Sequence, residues 1–433
     1  MFLGKPAGAL AILRSLGILA GMYLALGAAR AGPPLTLEAA WQLAEAANPA
    51  LRSAQASLDA AEGQLRDASG LLYNNPQLST DLTQRRTAPA GQPDSRYYEQ
   101  AIGLSQTFEI AGQAGYRRNA AERELAATRQ KIRETRRQVR AEVEQRFTRV
   151  LVLQQRIAAE RDTVSAVEEA AQAVRKRMAA GEDSRLDGNL ATVEAERSRN
   201  QLAVLAEQLL QARAELAATL QLAADDSLPE VVGELRADMP PYDLASLLSG
   251  AAEHPQLQAL EFREAAARSR LDLEKAAVAP DLTVGLSVGE DAPYDNREKF
   301  TRLTLSVPLP LFRRNAAGIG KASSELTQLQ IERQSAIRNL NAQVRNLWER
   351  LDSLQARIKR LADSVVPALD ENRRLSTQAY RAGEIGLLQL LLVNRQQLDA
   401  RRDYLDAMGE YFQTRIALEQ AAGWSVLPVE KNQ

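Results

Sequence analysis

The chain carries one long pattern twice, and this duplication limits what it can fold into. Asn48-Pro49 with Leu51 opens one amphipathic stretch, and His254-Pro255 with Leu257 opens another. Pro76, Leu78 and Leu82 are matched by Pro280, Leu282 and Leu286. Ile102-x-Leu104-Ser105 is matched by Leu303-x-Leu305-Ser306, and Gln154-x-Arg156-Ile157 by Gln355-x-Arg357-Ile358. Ala180-Gly181-Glu182 with Leu186 is matched by Ala382-Gly383-Glu384 with Leu388. The offset stays between about 201 and 206 residues, so few insertions separate the copies. A repeat of that length is a duplicated half-molecule, not a short solenoid unit.

Each copy reads in the same order: helix, pair of strands, very long helix, glycine break, helix. In the first repeat, 32–222, apolar alternation marks strands at about 76–86 and 97–110. In the second, 242–424, it marks strands at about 279–289 and 299–310; Leu282, Val284, Leu286 and Val288 are one face. Runs of period two are half-buried strands with one apolar side. The long helices are expected at about 113–180 and 321–382, and Pro367 should kink the second. In the first, Val143, Val150, Ile157, Val164 and Ala171 recur every seven residues. Leu125, Ile132, Val139, Leu153, Val167 and Val174 form the partner row, broken by Arg146 and Glu160. Such a repeat implies left-handed supercoiling against neighbouring helices. At 1.5 Å per residue, the helix is a rod of roughly 100 Å. The reversals fall at 181–184 and 383–386, the segment 223–241 links the copies, and 425–433 is a tail.

Composition supports rods over compact globules. Aromatic residues are only 5% of the chain, and Ala, Leu, Glu, Gln and Arg dominate, as in coiled coils. With 54 basic and 55 acidic residues, nothing favours nucleic acid as a partner. There is no cysteine, which leaves no material for disulfides or thiolate metal sites, and the one histidine is His254. No catalytic residue, cofactor or protein-bound metal is expected, and the chain is not read as an enzyme. His254 stands where Asn48 stands in the other copy, so a helix-capping role fits it better than a ligand role. Residues 1–31 have a positive start, an apolar run and Ala29-Arg30-Ala31, the pattern of a cleaved secretory signal.

Four strands with one apolar face are too few to close a barrel, and their open edges cannot face lipid. Three chains would supply twelve strands, within the range of bacterial outer-membrane barrels. The expected fold is therefore mainly α with a small β part: a trimer with a 12-stranded outer-membrane β-barrel on a long helical barrel. Over nearly its whole mature length the chain resembles the TolC superfamily of outer-membrane efflux proteins. Ser105-Gln106-Thr107-Phe108-Glu109-Ile110 leading to Arg117-Arg118-Asn119, and Pro308-Leu309-Pro310-Leu311-Phe312-Arg313-Arg314-Asn315, are similar to its cobalt-zinc-cadmium branch.

The resemblance implies a homotrimeric channel in the outer membrane of a Gram-negative bacterium, with lipid around the barrel and a large periplasmic part. It implies docking on a periplasmic adaptor and an inner-membrane pump of the resistance-nodulation-division (RND) type, and export of heavy-metal cations. It places adaptor contacts at the tips, Gly181, Glu182 and Asp183 with Gly383, Glu384 and Ile385. It places a periplasmic gate at Asp187, Tyr380 and Gln389, where Gln389 departs from the acidic residue usual in the family. The same residues are also compatible with simple turns and a packed surface tyrosine. Export of drugs or secreted protein stays open as cargo, and a pore-free periplasmic coiled-coil scaffold as a different class of function.

Overall fold

The structure is a computed structural model describing residues 34–87, 95–181, 183–223, 228–238, 240–291 and 298–424. The expected signal segment, the tail and the tips of both strand loops lie outside the described residues. The first copy contains α1 (Leu37–Ala47), α2 (Pro49–Ala68), β1 (Gln77–Thr87), β2 (Ser95–Phe108), α3 (Gln113–Ala179) and α4 (Arg185–Thr219). The second contains α5 (Leu244–Ala252), α6 (Pro255–Ala276), β3 (Leu282–Asp291), β4 (Glu298–Ser306), α7 (Ala316–Arg360), α8 (Val366–Arg381) and α9 (Leu387–Ala421).

The strands form one antiparallel sheet in the order β1-β2-β3-β4. Its register aligns side chains in rows that cross all four strands. Leu78, Leu104, Leu286 and Leu303 make one row, and Ser79, Gly103, Ser287 and Arg302 make the next on the opposite face. Successive side chains alternate between faces, so one side is apolar and the other polar. The apolar side is uncovered: Leu82 is 79% exposed, and Leu303 is 74% exposed. The polar side is the more enclosed along β2, where Gly103 is buried and Ala101, Ser105 and Thr107 are half-buried. This inverts the arrangement of a water-soluble sheet, where the apolar face is the covered one.

The helices bury their apolar seams in two related clusters. In the first copy, Ala40, Leu51, Val143, Phe147, Val150 and Leu216 bring α1, α2, α3 and α4 together. In the second, Leu247, Leu257, Val344, Leu351, Met408 and Tyr411 do the same for α5, α6, α7 and α9. Leu235, in the segment between the copies, packs on both clusters. That segment also accepts the Tyr411 hydroxyl at the Asp238 carbonyl, 2.7 Å away, so it ties the halves together rather than acting as a loose spacer. The rod α3 packs on α4, α6 and α9, and thus touches both copies.

The second rod carries its irregularity at Pro367, where the sequence marks one. The helix carries a single π-helical turn at Leu361–Val365, and Pro367 follows in the first turn of α8. Proline has no N–H and its ring collides with the carbonyl four residues back. Widening one turn, with the Val366 N–H reaching the Leu361 carbonyl, lets the rod continue past the ring.

Candidate functional site at the helix reversals

Both rods end at the same place, and each ends in the same way. α3 closes on Ala180, and Gly181 follows with φ of 81°. α8 closes on Ala382, and Gly383 follows with φ of 76°. A Cβ at either glycine would meet nothing within 4 Å. The constraint is therefore backbone angle, not space, since only glycine adopts this region at low cost. At the second reversal the Gly383 N–H bonds the Tyr380 carbonyl at 3.1 Å and the Glu384 N–H bonds the Ala379 carbonyl at 2.9 Å. This Schellman pairing satisfies the last carbonyls of α8.

The following helices start differently. α4 begins with a capping box. The Asp187 N–H donates to Ser184 Oγ at 3.2 Å, and the Asp187 carboxylate accepts from the Ser184 N–H and hydroxyl at 3.3 and 2.6 Å. Asp187 is thus half-buried and engaged at the helix N-terminus, where a negative charge is also favoured by the backbone dipoles. α9 begins at Gly386 with no side-chain cap, and Gln389 is exposed. The two copies are therefore not equivalent at the expected gate, and the asymmetry has a local cause: copy two lacks both the serine and the aspartate.

The reversals pack against each other. Val167, Ala171 and Val174 of α3, Ala191 and Ala195 of α4, Tyr380 of α8, and Leu387 and Leu390 of α9 form one cluster, with Ile385 against its edge. Tyr380 is buried in it, 8% exposed. The Arg177 guanidinium sits 5.5 Å from the centre of its ring, a cation–π arrangement, and bonds Asp183 at 3.2 Å. Burial and the Asp183 charge push the Tyr380 phenol up, Arg177 pulls it down, and Asp187 adds a further upward push. The Tyr380 hydroxyl donates to neither aspartate. At the same level Gly188 lets α4 approach α3, since a Cβ there would lie 2.8 Å from the Met178 sulfur.

The structure thus brings together Asp183, Asp187 and Tyr380 of the residues expected from sequence. It leaves Gln389 and Glu384 on the surface, and Glu182 lies outside the described residues. Arg177 was not anticipated. Its one sequence signal is a basic residue in the last turn of α3, a position that suits helix-end carbonyls generally and so does not mark it out. Among the described residues, no group of His, Asp and Glu could hold a metal ion, and no helix is long and apolar enough to cross a membrane.

Comparison with known proteins agrees with this geometry. Residues 40–220 and 249–424 match the outer membrane efflux protein family, one match per copy. The cobalt-zinc-cadmium resistance protein CzcC of Cupriavidus metallidurans is 28% identical over 397 residues, covering 91% of this chain and 91% of that protein. Among solved structures, a membrane protein from Pseudomonas aeruginosa superimposes with a TM-score of 0.77 at 21% identity, over 89% of this chain and 92% of the other. The outer membrane protein VceC of Vibrio cholerae gives 0.75 at 19% identity, over 90% and 97%. CusC gives 0.75 at 18% identity, over 90% and 92%. With its duplicated rods, its inverted sheet and a family match in each half, the chain belongs to the outer membrane efflux protein family.

Proposed function

We propose that three copies of this outer-membrane efflux channel join their sheets into one barrel, dock through the helix reversals on a periplasmic adaptor, and pass heavy-metal cations delivered by an RND pump. The observation that carries this reading is the uncovered apolar face of an open four-stranded sheet. Unpaired strand edges are not tolerated in hydrocarbon, and closure over three chains removes them. The metal cargo is supported by the likeness to CzcC, a cobalt-zinc-cadmium resistance protein. Three Asp187 side chains around a narrow opening would also favour cations.

Deleting the gene in its native host tests the cargo. The expected result is lost tolerance to zinc, cobalt or cadmium salts, restored by the wild-type gene. Unchanged metal tolerance with new sensitivity to organic drugs would overturn the metal reading and leave the channel.

A further inference from the structure

Where the sheet meets the helices, two short irregular segments expose large apolar side chains. One precedes β1: Leu71 is 98% exposed, and Leu72 and Tyr73 are exposed beside it. The other follows β4: Leu309, Leu311 and Phe312 are exposed, Phe312 to 96%. Among the described residues, nothing packs over Leu71 or Phe312. Within one chain they cannot reach each other, because they flank opposite edges of the sheet. Both nevertheless lie at the same end of it. β1 starts at Gln77, one row beyond the Leu78-Leu104-Leu286-Leu303 row, and β4 finishes at Ser306, three rows beyond it on the same side.

Edge-to-edge closure changes their relation. It places β4 of one subunit beside β1 of the next, antiparallel like every other pair in the sheet. Residues 307–312 of one subunit then adjoin residues 71–76 of its neighbour. Pro308 and Pro310 follow β4, and Pro76 precedes β1. Proline offers no N–H to a ladder, so backbone pairing stops on both sides of the same boundary. Beyond that point only side chains can make contact, and both partners carry apolar ones.

We infer that Leu311 and Phe312 of one subunit pack on Leu71 and Leu72 of the next, forming an apolar collar at each subunit boundary beneath the barrel. This rests on the trimeric reading above. Lipid is the poorer occupant, because both segments are irregular. Their free N–H and C=O groups could not be satisfied in hydrocarbon, and Arg313 and Arg314 directly follow Phe312. Tyr73 is held apart from the contact by the Arg117 guanidinium, 3.4 Å over its ring, which leaves Leu71 and Leu72 as the open surface.

The absence of cysteine makes cross-linking a clean test. Full-length protein extracted from outer membranes would carry Leu71→Cys with Phe312→Cys, or Leu72→Cys with Leu311→Cys, and be treated with a bismaleimide. A control pair, Ser79→Cys with Thr304→Cys, reports on the strand edges themselves. The inference predicts covalent dimers and trimers from both collar pairs and none from any single variant. Bands from the edge pair alone would overturn the collar while leaving the trimer standing. No bands from any pair, with a monomeric mass, would overturn the trimer as well.

Discussion

Two residues that share a place in the duplication show how different side chains do one structural task. Asn48 caps α2 by accepting the Ala50 N–H at 2.9 Å, and its amide reaches the Thr219 carbonyl at the end of α4, 3.5 Å away. His254 caps α6 by accepting the Gln256 N–H at Nδ1, 3.2 Å away, and its Nε2 lies 3.1 Å from the Gln420 carbonyl at the end of α9. The cap requires an unprotonated Nδ1, so Nε2 carries the proton and donates. Burial, which pushes the imidazole pKa down, favours that neutral form. His254→Asn should keep both contacts, whereas His254→Ala should cost about 1 kcal/mol for the cap alone, read as a lower urea midpoint. Nearby, Glu144 of α3 and Glu419 of α9 share Arg415, at 3.8 and 3.2 Å, and Glu419 also accepts the Tyr242 hydroxyl at 2.8 Å. Burial first, then the Glu419 charge, raise the Glu144 carboxyl from 4.5 to about 7. An acid raised on folding holds a proton that the unfolded chain releases. Its stabilisation is complete below about pH 4.5 and is lost as pH rises through 7. Melting temperatures between pH 5 and 8 should therefore fall with pH in the wild type and fall less in Glu144→Gln. Equal slopes would show that Glu144 is not the titrating group. At the reversal, Asp187→Ala should raise single-channel conductance in planar bilayers and lower cation preference, with Gln389→Ala doing less. Unchanged currents would leave Asp187 as a helix cap and nothing more.

At the scale of elements, the seam between α3 and α9 joins the two copies along the rod. Glu160, an interruption in the heptad row, is 1% exposed and accepts from Arg402 at 2.9 and 3.0 Å. One turn earlier on α3, Arg156 pairs with Asp406, one turn later on α9, so the charges cross over in successive rungs. Arg402 is 36% exposed at its side chain and also faces Asp399, whereas Glu160 is enclosed. Arg402→Ala should thus strand a buried carboxylate and cost about 3–5 kcal/mol. Glu160→Leu should cost much less, because Arg402 keeps water and Asp399. Equal losses in denaturant titrations would contradict this asymmetry. The rods themselves were readable from sequence because a seven-residue period persists whatever the helix packs on. The partner of Glu160 was not, since Arg402 lies 242 residues away and no local pattern connects them. The glycine reversals were readable for a related reason: positive φ is a demand of the local backbone. Arg177 against Tyr380 is a contact between copies, and only the packing of α3 on α8 and α9 creates it. Pro367 sits between these cases. The sequence marks the disturbance, but the π turn that absorbs it depends on how the whole rod is held.

For the whole molecule, the sheet decides where the chain resides. Its apolar side is uncovered, so on the proposed reading the outer face meets lipid and the polar face lines the channel. Val284 and Leu305 are direct cross-strand partners on the apolar side. Replacing both with arginine should block insertion, at roughly 2–4 kcal/mol per charge near the bilayer midplane, seen as lost outer-membrane yield with the helical signal retained in the soluble fraction. Normal yield would mean that this face does not meet lipid. The rods beneath extend the wall: α3 alone, 67 residues long, reaches roughly 100 Å. The central claim is that this wall and sheet close only when three chains combine. Native mass spectrometry of the detergent-extracted protein tests it most directly. The account predicts a particle of three mature chains; a monomer or dimer that keeps its β signal in circular dichroism would contradict it.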